Sequence, residues 1–258
     1  MTDSDSDIEL NEESERQSEF QKLYNNADDE FEKKKREEGM KLFKEDWQLS
    51  QFWYSDKTAE TLAEALVEGA NEDTVIAIVS APSVYAAILK LDPSKVLTEH
   101  IYLFEFDKRF ELLAGKEHFF FYDFANPTEF DDKLKGKVDR LLIDPPFLNE
   151  NCQKKCMCNI FCTLLFSIIF KRLLTEIIIQ NASITAHTLL AKNDGKKTRH
   201  GVEKHRLISC TGERMANIIK EAYPDTRITN FYPEHGNGLS NEFRCYANFE
   251  CSQWKFLE

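Results

Sequence analysis

The sequence predicts an α/β fold of the Rossmann-like kind: a seven-strand sheet, mostly parallel, that closes with a C-terminal antiparallel hairpin. Three observations predict it. Five short apolar or β-branched runs alternate with helical patterns, and a parallel neighbour requires such a crossover. The fourth run, residues 138–143, ends in Asp144-Pro145-Pro146-Phe147, an acid where a buried strand runs out, followed by two residues that cannot donate a backbone N–H. The last two runs are joined across Gly236-Asn237-Gly238 rather than through a helix, so they pair antiparallel.

The chain begins with an appendage. Residues 1–40 carry 14 acidic and 6 basic side chains, a net −8 of the chain's −12, and the first fifteen residues hold seven acids and no base. Such a segment cannot bury enough apolar surface to fold alone, so an acidic tail is expected, mostly disordered, with a helix from about Asn26 to Arg36 supported by acid-before-base spacing. The domain proper is expected to span 41–258, long enough and, at 42% hydrophobic residues, apolar enough for one core. The tail is read as a solvated arm or as a contact for a basic partner.

Within the domain, Phe52, Trp53 and Tyr54 precede a helix that Ser55 or Asp56 can cap, with Thr58, Leu62, Ala65 and Leu66 at helical spacing. These aromatics are either core or the wall of a ligand site. Residues 74–79 predict the first strand, followed by Ser80-Ala81-Pro82-Ser83 and a helix through Val84, Ala87, Ile88 and Leu89. Further strands are expected at 100–106, 118–122, 138–143 and 206–210, then a helix at 212–222 and strands at 227–232 and 243–249.

In an open parallel sheet, ligands bind beyond the carboxyl ends of the strands, near the point where strand order reverses. Four strand ends carry candidates. Ser80, Ala81, Pro82 and Ser83 form a turn of small residues entering a helix, without a Gly-x-Gly fingerprint. In Glu105-Phe106-Asp107 a carboxylate is placed to accept both hydroxyls of a ribose. Asp123 is placed to take an adenine amino group while Phe124 lies on the ring. Asp144 and the neighbouring backbone carbonyls form an acceptor-rich corner that suits an amine, with Phe147 as a flat apolar wall; taken alone, the four residues could equally be a stiff turn.

These segments resemble the seven-strand S-adenosylmethionine-dependent methyltransferases, and among them the eukaryotic elongation factor 1-alpha lysine methyltransferase family, once labelled adenine-specific DNA methyltransferase-like. The likeness is carried by Gln51-Phe52-Trp53-Tyr54-Ser55, Val79-Ser80-Ala81-Pro82-Ser83-Val84-Tyr85, Glu105-Phe106-Asp107-Lys108-Arg109-Phe110, Asp144-Pro145-Pro146-Phe147 and Asn241-Glu242-Phe243-Arg244-Cys245-Tyr246. It covers roughly 46–249. The resemblance implies S-adenosylmethionine as cofactor, held by residues 80–83, Glu105, Asp107, Asp123 and Phe124, with Trp53 and Tyr54 folding over it. It implies that Asp144, Pro145, Pro146 and Phe147 receive a lysine amine of elongation factor 1-alpha, and that apolar walls and the cofactor's positive charge lower the lysine pKa so that a lone pair becomes available.

The resemblance lapses between about 156 and 180, inside a connection of 58 residues where about half that number would serve. The stretch is an atypical apolar insertion. From Cys156 to Phe170 it is only 15 residues before two charges, below the roughly 20 a membrane span needs. Cys152, Cys156, Cys158 and Cys162 lack paired metal-ligand spacing, so no metal is assigned. Its abrupt change of composition is what translated intron sequence would produce, and a spliced message that still encodes it would exclude that origin. Beyond it, Lys192, Lys196, Lys197, Arg199 and His200 make a basic loop, either solvated or a contact for acidic substrate surface.

A polar, acidic start without a secretory pattern and an odd number of cysteines, seven, fit a cytoplasmic or nuclear protein with reduced thiols, acting without a membrane and as a monomer. Residues 41–258 carry only −4 and no basic stripe, which disfavours nucleic acid as partner. Two other functions fit the same residues: methylation of an exocyclic base amine, with Phe147 stacked on a flipped adenine, and an idle scaffold that binds without turnover.

Overall fold

A computed structural model describes residues 39–45, 51–145, 164–236 and 243–257, with the backbone course alone for 164–173. Met1–Leu42 and Phe43–Glu258 are separate compact units, and of the first only one 3-10 turn, Gly39–Leu42, is described. The acidic arm, Pro146, Phe147, the four cysteines between 152 and 162 and the Asn237-Gly238 turn lie outside the described residues.

The second unit is built on seven strands: β1 Ile76–Val79, β2 Ile101–Glu105, β3 Phe119–Phe121, β4 Arg140–Ile143, β5 Arg206–Gly212, β6 Arg227–Ile228 and β7 Phe243–Ala247. They stand in the order β3-β2-β1-β4-β5-β7-β6. The first five are parallel, whereas β7 pairs antiparallel with both β5 and β6. This is the expected Rossmann-like sheet, with one refinement: β7 inserts between β5 and β6, so the short β6 forms the edge. Beyond the two residues of β6, Thr229 still donates to the Cys245 carbonyl of β7 and bridges Phe256 on the other side.

Among the described residues, five helices flank the sheet: α1 Asp56–Val67, α2 Pro82–Lys90, α3 Glu111–Ala114, α4 Leu164–Leu189 and α5 Ala216–Ala222. Ser55 caps α1, its side chain accepting from the Thr58 N–H at 3.2 Å, so the run of small and apolar residues starts where the sequence places it. Ala77, Val79, Tyr102, Phe104, Leu141, Ile143 and Leu207 share one buried cluster with residues of α4 and α5. Their alternates along the strands, Ile76, Ile78, Leu103, Leu142 and Ile208, are equally buried on the opposite face, where α1 and α2 pack together. Central strands buried on both faces explain why they read as continuous apolar runs.

The crossover from β4 to β5 is α4. Ile178, Ile179, Ala182, Ala186 and Leu189 fall on one helical face and are all but inaccessible. Thr185 joins β3's end to this helix, bonding the Tyr122 hydroxyl at 2.9 Å and the Pro127 carbonyl at 2.9 Å. The C-terminal end of the compositionally odd stretch, at Ile178 and Ile179, is therefore core of this fold.

Two arginines lie buried at the opposite end of the sheet. Arg140 bonds the Leu66 and Glu68 carbonyls, at 2.5 and 2.9 Å, and Arg206 bonds the Ala65 carbonyl at 2.7 Å and Glu68 at 3.2 Å while lying over the Phe249 ring. They satisfy carbonyls left open at the end of α1. Replacing Arg206 with alanine strands the Ala65 carbonyl and takes the cation from Glu68, so Arg206→Ala is expected to cost about 2–4 kcal/mol in urea unfolding without altering cofactor affinity.

Candidate active site

Register alone assembles the site. Val79 of β1 is opposite Phe104 of β2 and Ile143 of β4, and Ile143 is opposite Ser209 of β5. The residues that follow, Glu105, Ser80, Asp144 and Cys210, therefore form one row along the carboxyl edge. The chain runs outward from β1 to β3 on one side and from β4 on the other, so this row straddles the point where strand order reverses.

Ser80 has φ of +59°, the left-handed region that a non-glycine residue adopts at a cost of roughly 1–2 kcal/mol. Its N–H is fixed to the Phe104 carbonyl at 2.9 Å, and the turn delivers buried Ala81, Pro82 and Ser83 to the start of α2.

Glu105 is buried at the end of β2. Its Oε1 accepts the Phe106 and Asp107 N–H groups, at 3.0 and 3.3 Å, and Oε2 has no partner among the described residues. Burial raises its pKa to about 7 despite those two donors. Asp107 is engaged differently: Arg109 grips both its oxygens and Gln51 Nε2 donates to Oδ2 at 2.9 Å, which keeps it ionised below the usual range although burial opposes this. Asp123 sits at the end of β3 with Oδ1 on the Ala125 N–H and Oδ2 on the Asn126 amide, while Phe124 is exposed beside it. Phe106 was overlooked in reading the sequence. It is exposed at the same edge and touches exposed Phe121, ring centres 5.5 Å apart, although its position beside Glu105 could have flagged it.

Asp144 is half-buried and Pro145 buried. The Asp144 N–H is held by the Val79 carbonyl at 3.1 Å. Burial lifts the Asp144 pKa to about 8, aided by the charge of Glu105 and opposed by the Tyr54 hydroxyl. The Tyr54 phenol is buried among Asp144 and Cys210, and burial first, then the Asp144 charge, keeps it protonated. Cys210 is likewise held as the thiol, by the neighbouring Cys245 and by burial.

The aromatic segment 51–54 is a strap over this edge. Gln51 ties it to Asp107 after β2, Trp53 lies edge-on to Phe110 at 5.5 Å with its indole N–H on the Phe43 carbonyl, and Tyr54 reaches Asp144 after β4. The strap's far side is pinned to residues 234–236: Ser55 N–H to the Glu234 carbonyl at 2.8 Å, Gly236 N–H to the Trp53 carbonyl at 2.9 Å, and a Tyr54 and His235 bridge.

The basic loop lies elsewhere. Arg199 pairs with Glu72 at 2.7 Å and Lys204 with Asp73 and Asp139 at 3.2 and 3.4 Å, at the amino ends of β1 and β4. Lys196 and Lys197 pair within the loop, with Asp194 and Glu203. The charges of Lys196, Lys197, Arg199 and Lys204 are thus met by the protein's own acids at the edge opposite the candidate site. Among the described residues, no group of three or more potential ligands could hold a metal ion, and no helix is long and apolar enough to cross a membrane.

An acidic acceptor, a small-residue turn and an amine-sized corner in one row can hold a nucleoside-like donor beside an amine. Comparison with known proteins bears on that arrangement. A family model described as "Probable N6-adenine methyltransferase" matches residues 45–251. The chain is 65% identical over 245 residues to "Protein-lysine N-methyltransferase EFM5" of Saccharomyces cerevisiae, covering 95% of this chain and 88% of that one. It is 32% identical over 210 residues to "EEF1A lysine methyltransferase 1" of Homo sapiens, covering 81% and 77%, and 32% identical over 206 residues to a protein-lysine N-methyltransferase of Dictyostelium discoideum, covering 80% and 77%. With the matched region spanning the whole sheet and both faces of its carboxyl edge, the chain belongs to the elongation factor 1-alpha lysine methyltransferase family.

Proposed function

We propose that this protein is a cytoplasmic S-adenosylmethionine-dependent protein-lysine N-methyltransferase whose substrate is translation elongation factor 1-alpha. The observation that carries the proposal is the placement of Asp144 and the Pro145 carbonyl beside the Ser80 turn and two strands from Glu105, in a family whose relatives bear that activity in their names. The residues fit the cofactor: Glu105 keeps one carboxylate oxygen free of partners among the described residues, Phe106 and Phe124 offer exposed ring faces, and Ala81 and Ser83 keep the approach to α2 narrow in bulk. When bound, the cofactor supplies an electrophilic methyl group.

The protein's part is to present an amine with a free lone pair. A lysine is an ammonium near neutrality, with an ordinary pKa of about 10.4. The buried Tyr54 ring and Pro145 around the corner disfavour that charge. Asp144, with a proton affinity raised to a pKa of about 8, is a better acceptor for the Nζ proton than an ordinary carboxyl, because the gap between acid and base is smaller. Once Nζ is neutral and Asp144 has passed the proton on to solvent, the Asp144 carboxylate and the Pro145 carbonyl accept the amine's N–H groups and aim the lone pair, so positioning supplies most of the rate. Pro146 and Phe147, which the resemblance assigns to the same corner, belong to this proposal on that ground.

The family model's description keeps base methylation as the second reading. Incubation with methyl-labelled S-adenosylmethionine and either elongation factor 1-alpha or single- and double-stranded nucleic acid separates them. Label on the protein is expected; label on nucleic acid alone contradicts the proposal, and cofactor binding with no label on either substrate points to a scaffold.

A further inference from the structure

Tyr54 is the polar group of the site whose bonding is least accounted for. Its hydroxyl is buried, and no atom among the described residues meets hydrogen-bond geometry with it. A buried hydroxyl without a partner costs about 1–3 kcal/mol, so its retention at this point needs a reason. The ring is not free to turn away. It stacks on His235 with centres 5.0 Å apart and planes 29° apart, and His235 is in turn wedged edge-on against Phe243 at 4.5 Å. The Tyr54 and His235 backbones form an antiparallel bridge, and flanking bonds from Ser55 to Glu234 and from Gly236 to Trp53 fix both segments. Burial keeps His235 neutral, with its pKa lowered to about 4, so the clamp bears no charge near neutrality.

We infer that Tyr54, backed by His235, is a positioning residue for Asp144: when Asp144 ionises, the phenol closes on one carboxylate oxygen and leaves the other directed at the substrate amine. The second half of that statement rests on the proposed lysine methylation; the first does not. A phenol has one proton to give and can meet an acceptor-only carboxylate without competing for the amine's N–H groups. The groups that face the carboxyl are Glu105 from β2, Cys210 from β5 with Cys245 of β7 behind it, and Tyr54 from the strap with His235 behind it. Of the Tyr54, Cys210 and Glu105 side chains, the thiol is a weak donor and Glu105 is an anion above its pKa of about 7, so where Asp144 ionises, about pH 8, the phenol is the strong neutral donor. Trp53, edge-on to Phe110, braces the other end of the strap and does not share this role.

The test is a carboxyl-carbon NMR titration of the ligand-free full chain, with the Asp144 signal identified by its loss in Asp144→Asn. Tyr54→Phe removes one orphan oxygen and keeps the ring, so it should fold. It is expected to raise the Asp144 midpoint by about one pH unit, a tenfold change in proton affinity. His235→Ala, which frees the ring, should raise it too, and His235→Phe, which keeps the stack, should leave it within a few tenths. An unchanged midpoint in Tyr54→Phe overturns the inference, whatever the enzyme does. In the methylation assay, the ascending limb of the kcat/KM profile should move to higher pH in Tyr54→Phe, because less carboxylate is present at a given pH. A loss of rate equal at all pH values would mean that Tyr54 is only structural. Wild-type protein that fails to methylate any protein, with the NMR shift intact, would sink the proposed function and keep the inference about Asp144.

Discussion

Asp144→Asn is expected to lower kcat at least a hundredfold while making the ligand-free protein more stable in mildly alkaline solution. The loss of rate follows from removing the proton acceptor and the anion that holds the amine, a change of the size seen when one preorganised electrostatic partner is deleted, on the order of 10²–10³. The gain in stability has its own sign argument. Asp144 has a folded-state pKa of about 8 against an ordinary value of about 3.9 in an unfolded chain. Stability associated with this group is therefore fully present below about pH 4 and is lost progressively as pH rises to about 8, because the unfolded chain gives up a proton that the folded one retains. Asparagine does not titrate. The difference in unfolding free energy between the variant and the wild type should widen from pH 5 to pH 8 and then level off, as read from urea transitions at each pH. A residue that is both costly and indispensable is the pattern expected of a working site.

Glu105→Gln has the second largest expected effect, on cofactor affinity. A carboxylate accepting ribose hydroxyls makes charge-assisted bonds of about 1.5–3 kcal/mol, so the variant should bind S-adenosylmethionine about 10- to 100-fold more weakly by calorimetric titration. The pH dependence is the sharper part. With a free-protein pKa of about 7, Glu105 is largely protonated at pH 6 and must release that proton to accept two hydroxyls. Wild-type affinity should rise from pH 6 to pH 8, and the heat of binding at pH 6 should depend on the ionisation enthalpy of the buffer. Both dependences should vanish in Glu105→Gln, and their survival would move the ribose acceptor elsewhere. Asp107, whose oxygens are taken by Arg109 and Gln51, makes a poor alternative and serves better as the anchor of the strap.

Much of this arrangement was legible in the sequence. Each of the seven strands falls within the run that announced it, apart from a two-residue extension of β5, and for β1, β2, β4 and β5 two-sided burial imposes the unbroken apolar segment. Ser55 was readable as a cap since the side chain that closes the helix is local to it. Ser80, Glu105 and Asp144 could be placed on one edge from the strand pattern alone, because parallel strands put their carboxyl ends on the same side. What stayed hidden depends on contacts between distant residues. Nothing near His235 marks it as a partner of Tyr54, for the two meet only when the segment before β7 folds back across the strap. Arg140 and Arg206 read as charged strand starts, and only the end of α1 above them turns them into buried caps. Helix α4 was obscured by its own composition: Ile177-Ile178-Ile179 shows no period, although Ile177 is exposed while Ile178 and Ile179 face the sheet. The basic loop left two readings open in sequence, since its positive residues are conspicuous there while the acids that meet them, Glu72, Asp73 and Asp139, come from other strands' approaches.

The most direct measurement is peptide mass spectrometry of unmethylated elongation factor 1-alpha after reaction with S-adenosylmethionine bearing a deuterated methyl group. Wild-type protein should place the deuterated methyl on lysine, at one defined position, and Asp144→Asn should leave that position unmodified while still binding cofactor. Label on no lysine with the wild type, or equal label with both proteins, would contradict the account of the Asp144 corner.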